Sequence, residues 1–113
     1  GKIIRAKDVT YKQQGKKITF ILDTAINSNC QKVAQDANLL ISEATYTEKE
    51  SDLAKEYKHL TAKQAAQIAK KAKQLFLTHI SQRYQASEFK ILAEAKKVFK
   101  NTKLAEDLMK IEV

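Results

Sequence analysis

Proline and tryptophan are absent from this 113-residue sequence, glycine occurs only as Gly1 and Gly15, and Cys30 is the single cysteine. One cysteine excludes an internal disulfide and cannot build a cysteine metal site alone. No apolar run approaches the roughly 20 residues that a membrane-spanning helix needs. No charged-then-apolar segment opens the chain, so a cytoplasmic location without membrane attachment is expected. Linkers, internal repeats and low-complexity stretches are missing as well. What is there, 12.8 kDa with 43% hydrophobic and 30% charged residues, suits one modest globular domain and not two. Gly1 in place of an initiating methionine fits a piece of a longer protein.

The net charge of +8 is unevenly placed. Residues 1–20 carry +5, from Lys2, Arg5, Lys7, Lys12, Lys16 and Lys17 against Asp8. Residues 21–57 carry −4, residues 58–74 return to +5 through Lys58, Lys63, Lys70, Lys71 and Lys73, and the remainder carries +2. A basic chain with an acidic middle fits a polyanion binder that keeps carboxylates at its chemical centre. Solvated lysine-rich helix faces would give the same totals.

Gly15 reads as a turn between two strands, the second being the β-branched and aromatic run Ile18–Leu22. A helix is expected over 28–36, capped by Asn27 or Ser28, with Cys30, Val33 and Ala34 inward and Asn38 as its breaker. Leu39–Ile41 has the length and apolarity of a buried strand. A short helix over 52–57 precedes the clearest one, which Thr61 caps. There Ala62, Ala65, Ala66, Ala69 and Ala72 with Ile68 form an apolar stripe at helical spacing. Leu75–Leu77 is a third strand. Ser87 caps a helix whose Phe89, Leu92, Ala93 and Phe99 are expected in the core, and Leu104-Ala105 and Met109–Val113 read as terminal strands. Strands alternate with helices, so the fold class is α/β.

Each of the three apolar strands runs into a residue that binds metal or moves protons. Ile18–Leu22 meets Asp23-Thr24, Leu39–Ile41 meets Ser42-Glu43, and Leu75–Leu77 meets Thr78-His79. In α/β folds, ligands bind in the crevice at the carboxyl ends of parallel strands. Aspartate and histidine ligate zinc, and a carboxylate beside a histidine orients it. Each residue has a plainer reading: Asp23 as a helix cap, Glu43 as an exposed loop carboxylate, His79 as a core histidine, His59 as a flank of the alanine-rich helix. His59 and His79 are the only histidines, and their coincidence with three strand ends favours one shared site.

Asp23-Thr24, Ser42-Glu43-Ala44-Thr45, the run Tyr57-Lys58-His59-Leu60-Thr61-Ala62-Lys63-Gln64-Ala65-Ala66, and Leu77-Thr78-His79-Ile80-Ser81-Gln82-Arg83-Tyr84 occur in this order. With the closing Leu104-Ala105-Glu106-Asp107, the set resembles the carboxyl-terminal part of the ribonuclease Z family. These are tRNA 3′-end endonucleases of the metallo-β-lactamase superfamily. The resemblance implies half of an αββα sandwich, with a mixed sheet and helices on one face. It implies a phosphodiesterase with two zinc ions that removes the 3′ trailer from precursor tRNA and leaves a 3′ hydroxyl. Asp23 matches the aspartate that bridges the zinc ions and His79 a late histidine ligand. His59 matches the proton donor at the scissile phosphate and Glu43 the glutamate that orients it. Ser81, Arg83 and Tyr84 fall in the motif after the last ligand, with Arg83 and Ser81 as candidate phosphate contacts. A surface arginine paired with the acidic loop is the plainer reading of Arg83.

The sequence departs from the family pattern at Leu22 and Leu108, where glycines are usual, at Ser42 in place of a histidine, and at Leu60 in place of a serine. The family's histidine-x-histidine-x-aspartate-histidine motif is absent. Asp23 and His79 are too few ligands for two ions, so a missing amino-terminal half of the fold is the expected partner, beside precursor tRNA. The resemblance implies a homodimer once that half is present. As an isolated chain it is expected to be inactive and to expose the sheet face meant for its partner. Two other functions fit the same residues: a superfamily hydrolase with another substrate, and a non-catalytic RNA-binding or assembly subunit.

Overall fold

The computed structural model describes residues 10–13 and 15–105. The expected strand at Met109–Val113, and Leu108, lie outside them. Gly15, at φ +76°, turns β1 (Thr10–Gln13) back onto β2 (Lys16–Ile21) as an antiparallel pair. From β2 onward every pairing is parallel, through β3 (Leu39–Glu43), β4 (Leu75–Thr78) and β5 (Thr102–Leu104), in the spatial order β1-β2-β3-β4-β5. Parallel neighbours need crossovers, and crossovers are right-handed. When spatial order equals chain order, this rule sends every crossover helix to the same face of the sheet.

The crossovers carry α1 (Ser28–Ala34), then α2 (Ser51–Glu56) and α3 (Ala62–Ala69), then α4 (Glu88–Val98). Thr61 opens α3 with a full capping box, its hydroxyl accepting from Gln64 N while the Gln64 side chain accepts from Thr61 N. This satisfies two otherwise orphaned backbone donors. Ala62, Ala65, Ala66 and Ala69 are fully buried and cluster with Ile21, Leu40, Leu75 and Leu77 of the sheet. Their short side chains let the axis of α3 lie close to the strands. On the opposite face the alternation places Phe20, Leu39, Ile41 and Phe76, which stand outside the helix-side cluster. Phe20, Leu39 and Phe76 are nonetheless buried and Ile41 is half-buried, so the exposed sheet face expected from the sequence is less open than anticipated. No described helix is long and apolar enough to cross a membrane.

The fourth helix corrects the sequence reading. Phe89 is 65% exposed and Ala93 is exposed, while Ile91 and Ala95 are fully buried. The helix is rotated so that 91, 95 and the partly buried Val98 and Phe99 face the core. Ser87 precedes it but makes no side-chain cap bond. The first helix also ends earlier than expected, at Ala34, because Asp36 turns left-handed at φ +61°. Asn38 then ties the loop to β2 by accepting from Lys17 N at 2.8 Å.

Ile68→Ala should destabilise the chain by about 2–5 kcal/mol, since it leaves a cavity in a close-packed interface. Phe89→Ser should stay within about 0.5 kcal/mol of the parent. Urea unfolding followed by circular dichroism separates the two; a large loss at Phe89 would contradict the observed rotation of α4.

Candidate metal and proton-transfer site

The carboxyl ends of β2, β3 and β4 lie side by side because the strands are parallel and in register, with Ile21 opposite Ser42 and Glu43 opposite Thr78. Glu43, the last residue of β3, is completely buried. A buried carboxylate is tolerated only when donors surround it. Glu43 Oε1 accepts from Thr24 N at 3.0 Å. Its Oε2 accepts from Leu60 N at 3.1 Å, lies 2.8 Å from Thr45 Oγ1, and lies 2.9 Å from His59 Nδ1. The reading of Glu43 as an exposed loop carboxylate is therefore overturned. Because the bond from residue 60 comes from the main chain, leucine at that position leaves it intact.

A carboxylate only accepts, so its bond to Nδ1 places a proton there and leaves Nε2 as the free nitrogen of His59. Donor atoms of Asp23, His59 and His79 all lie within 4.8 Å of one another. Ligands that share one zinc ion at about 2.1 Å each are at most about 4 Å apart, so the cluster, whose donor atoms spread over up to 4.8 Å, is slightly wider than the ligand set of a single bound ion. The imidazole rings of His59 and His79 are 5.4 Å apart, centroid to centroid. His79 is exposed, not a core histidine, and the cap of α1 is Asn27, not Asp23.

Asp23, Lys58 and His79 all have left-handed backbones, at φ +55°, +58° and +55°. Such conformations in non-glycine residues cost of order 1–3 kcal/mol and collect at functional sites. Among the described residues with positive φ, only Asp36 and Gly15 lie elsewhere. Leu22 is not among them, so the leucine that replaces a glycine carries none of this strain. The loop after β4 is held by Thr45, whose hydroxyl is 3.0 Å from the His79 carbonyl and whose own carbonyl accepts from Ser81 N at 3.0 Å. Thr24 and Thr45 thus build the site. Sequence reasoning gave them no role, although both stand next to or near a singled-out acid.

The remaining candidates sit at the rim. Arg83 Nη1 pairs with Glu50 Oε1 at 2.8 Å, and its guanidinium carbon is 5.9 Å from the Tyr46 ring centroid. The Glu50 hydrogen bond, and then its charge, raise the Arg83 pKa further. The acidic-loop reading of Arg83 is realised, and its half-exposed guanidinium has further N–H donors beyond the one on Glu50. Ser81 caps the 3-10 turn Gln82–Tyr84, its hydroxyl accepting from Arg83 N at 3.4 Å. Tyr84 is buried, and its hydroxyl accepts from Thr47 N at 3.1 Å.

Glu43→Ala should destabilise the chain by about 3 kcal/mol or more, because it strands buried donors from three segments. His79→Ala should cost less than about 1 kcal/mol, since its side chain is exposed. Equilibrium unfolding in urea tests the pair; equal losses would contradict the central position of Glu43.

No protein-family model matches the sequence. Ribonuclease Z of Archaeoglobus fulgidus is 43% identical over 104 residues, which span 90% of this chain and 34% of that protein. Ribonuclease Z of Bacillus cereus is 43% identical over 117 residues, spanning 100% and 38%. That of Protochlamydia amoebophila is 44% identical over 111 residues, spanning 96% and 36%. The chain therefore covers little more than a third of the length of these relatives. Among solved structures, human tRNase Z, short form, superposes with a TM-score of 0.69 at 36% identity, over 91% of this chain and 36% of that one. The metallo-β-lactamase fold protein YhfI of Bacillus subtilis gives 0.77 at 23% identity, over 86% and 40%. Matched along nearly its whole length, the chain is similar in sequence to a little more than a third of a ribonuclease Z and shares the fold of the corresponding part of metallo-β-lactamase fold proteins.

Proposed function

We propose that this chain supplies the proton-transfer half of a metal-dependent endoribonuclease that removes the 3′ trailer from precursor tRNA. The missing half of the sandwich brings the histidine-rich metal motif, and the completed domain works as a homodimer. The observation that carries this reading is the convergence of Asp23, His59 and His79 on one point, with Glu43 fixing His59 from behind. Asp23 and His79 are the residues that would hold metal, and their oxygen and nitrogen donors suit zinc. Metal ions, when bound, would supply Lewis acidity at the phosphate.

The chain's own residues account for the rest. As water adds to the phosphorus, protonated His59 delivers its Nε2 proton to the 3′ oxygen and the bond between that oxygen and phosphorus breaks, so that the upstream product leaves with a 3′ hydroxyl and the trailer keeps the phosphate. Glu43 stabilises the imidazolium through Nδ1 and is itself kept in place by Thr24 N, Thr45 Oγ1 and Leu60 N. Arg83 and Ser81, on the rim, orient the neighbouring phosphates. Asp23 and His79 stand exposed just beyond the ends of β2 and β4.

The test is single-turnover cleavage of a precursor tRNA by the chain joined with a ribonuclease Z segment that carries the metal motif, beside zinc per molecule by elemental analysis. His59→Ala should keep the metal and slow cleavage by roughly 100-fold or more. Glu43→Ala, in the protein that stays folded, should slow cleavage at least as much, with little further loss in the double variant, because the two act as one unit. His79→Ala should lose metal and activity together. If His59→Ala strips the metal while His79→Ala retains it, the two roles are reversed and the reading fails.

A further inference from the structure

The end of the sheet opposite the site carries a feature that the proposed chemistry does not use. The loops at the amino ends of β2 to β5 are joined by hydrogen bonds in a continuous row. Asn38 N donates to Lys17 O at 2.9 Å, Asp36 N to Lys71 O at 2.8 Å, and Lys73 N to Ala37 O at 2.9 Å. Asn101 Nδ2 donates to Lys73 O at 2.8 Å, and Leu75 N to Asn101 O at 3.0 Å. This row displays Lys16, Lys17, Lys70, Lys71, Lys73 and Lys100, of which all but the half-buried Lys17 are exposed. Asp36 is the only acidic residue of these loops, taken as residues 15–17, 35–38, 70–74 and 99–101.

Part of this charge has a structural explanation. The carboxyl ends of α1, α3 and α4 point to the same edge, and lysines there offset helix dipoles. Each dipole contributes about half a negative charge, however, and exposed Lys32, Lys96 and Lys97 in the last turns of α1 and α4 add to the six lysines of the loops. Three dipoles and Asp36 leave the edge strongly positive. From β2 to β5 the row spans about 14 Å at the usual strand spacing. It lies roughly 15–20 Å from the strand ends that carry Glu43 and His79, so it cannot touch the phosphate at the site.

We propose that this edge is a second RNA-binding surface, on which the lysines of the hydrogen-bonded loops hold the phosphate backbone of the substrate RNA away from the cut. The proposal rests on the nuclease reading for the identity of the polyanion. Among the described residues, the large exposed hydrophobics Ile26, Tyr57 and Phe89 all lie outside these loops. The edge therefore offers charge without stacking platforms or apolar anchors, which suits a folded RNA read through its backbone and not a base-specific strand. Because the loops are tied to one another, the lysine stems start from fixed points. Binding here is independent of sequence and steeply dependent on salt.

Fluorescence anisotropy of the chain with a labelled tRNA lacking a trailer, between 50 and 200 mM KCl, tests this without any cleavage. The triple variant Lys71→Glu/Lys73→Glu/Lys100→Glu should weaken binding about 10-fold or more at 100 mM KCl and reduce the salt slope by about two to three. A control with the same charge change on other faces, Lys49→Glu/Lys55→Glu/Lys90→Glu, should stay within about twofold. Equal weakening by both variants, or none by the first, overturns the proposal. So does tighter binding of the chain to phosphatidylserine vesicles than to tRNA. If the joined enzyme fails to cut precursor tRNA while the triple variant still loses tRNA binding, the nuclease reading falls and the surface stands.

Discussion

A carboxylate with no exposure to water sits where three strand ends meet, and the rest of the site depends on it. Glu43 draws a backbone N–H from the loop after β2, a hydroxyl from the residue two beyond it, and an imidazole and a backbone N–H from the segment before α3. An unpaired buried charge would cost several kcal/mol, so the fold is stable only when these segments converge. Thr45 extends the convergence to the loop of His79 by sharing its hydroxyl proton between Glu43 Oε2 and the His79 carbonyl. Folding thereby sets the spacing of Asp23, His59 and His79.

That convergence also makes room for strain. Left-handed backbones at Asp23, Lys58 and His79 together cost a few kcal/mol. They persist because the residues next to them are tied into the Glu43 network or the parallel ladder. Thr24 N is bound to Glu43, His59 follows Lys58, and Thr78 O accepts from Ala44 N. Asp23 and His79 are exposed at these turns, while half-buried His59 is held by Glu43. The remote lysine edge obeys the same parallel topology. One sheet direction puts strand carboxyl ends with their acids and histidines at one end, and lysine-rich loops at the other.

Much of this was legible in the residues. Alternating short apolar runs and helical stripes gave the α/β class, and Gly15 gave the hairpin. The placement of Asp23, Glu43 and His79 after apolar strands pointed to one crevice, because parallel strands align their carboxyl ends. The alanine spacing placed α3 on the sheet correctly. For α4 the reading failed, since Phe89 and Leu92 compete with Ile91 and Ala95 for the same stripe. Only the docking of α3 against α4 decides which face turns inward. The supporting parts of Thr24, Thr45 and the Leu60 N–H were equally hidden. Main-chain donors carry no residue signature, and a threonine beside an acid is too common to signify. Leu22 and Leu60, which depart from the family pattern, prove neutral for the geometry: the strained residue is Asp23, and the bond at residue 60 is a backbone one.

The central claim is that Glu43 fixes the proton of His59 on Nδ1 and leaves Nε2 for chemistry. Long-range proton–nitrogen NMR correlation on the chain, with His59 in its neutral form, measures this directly. The account requires His59 in the Nδ1–H tautomer, and loss of that preference in Glu43→Ala, while exposed His79 shows no such dependence. Detection of the Nε2–H tautomer at His59, or the same spectrum with and without the Glu43 carboxylate, would contradict it.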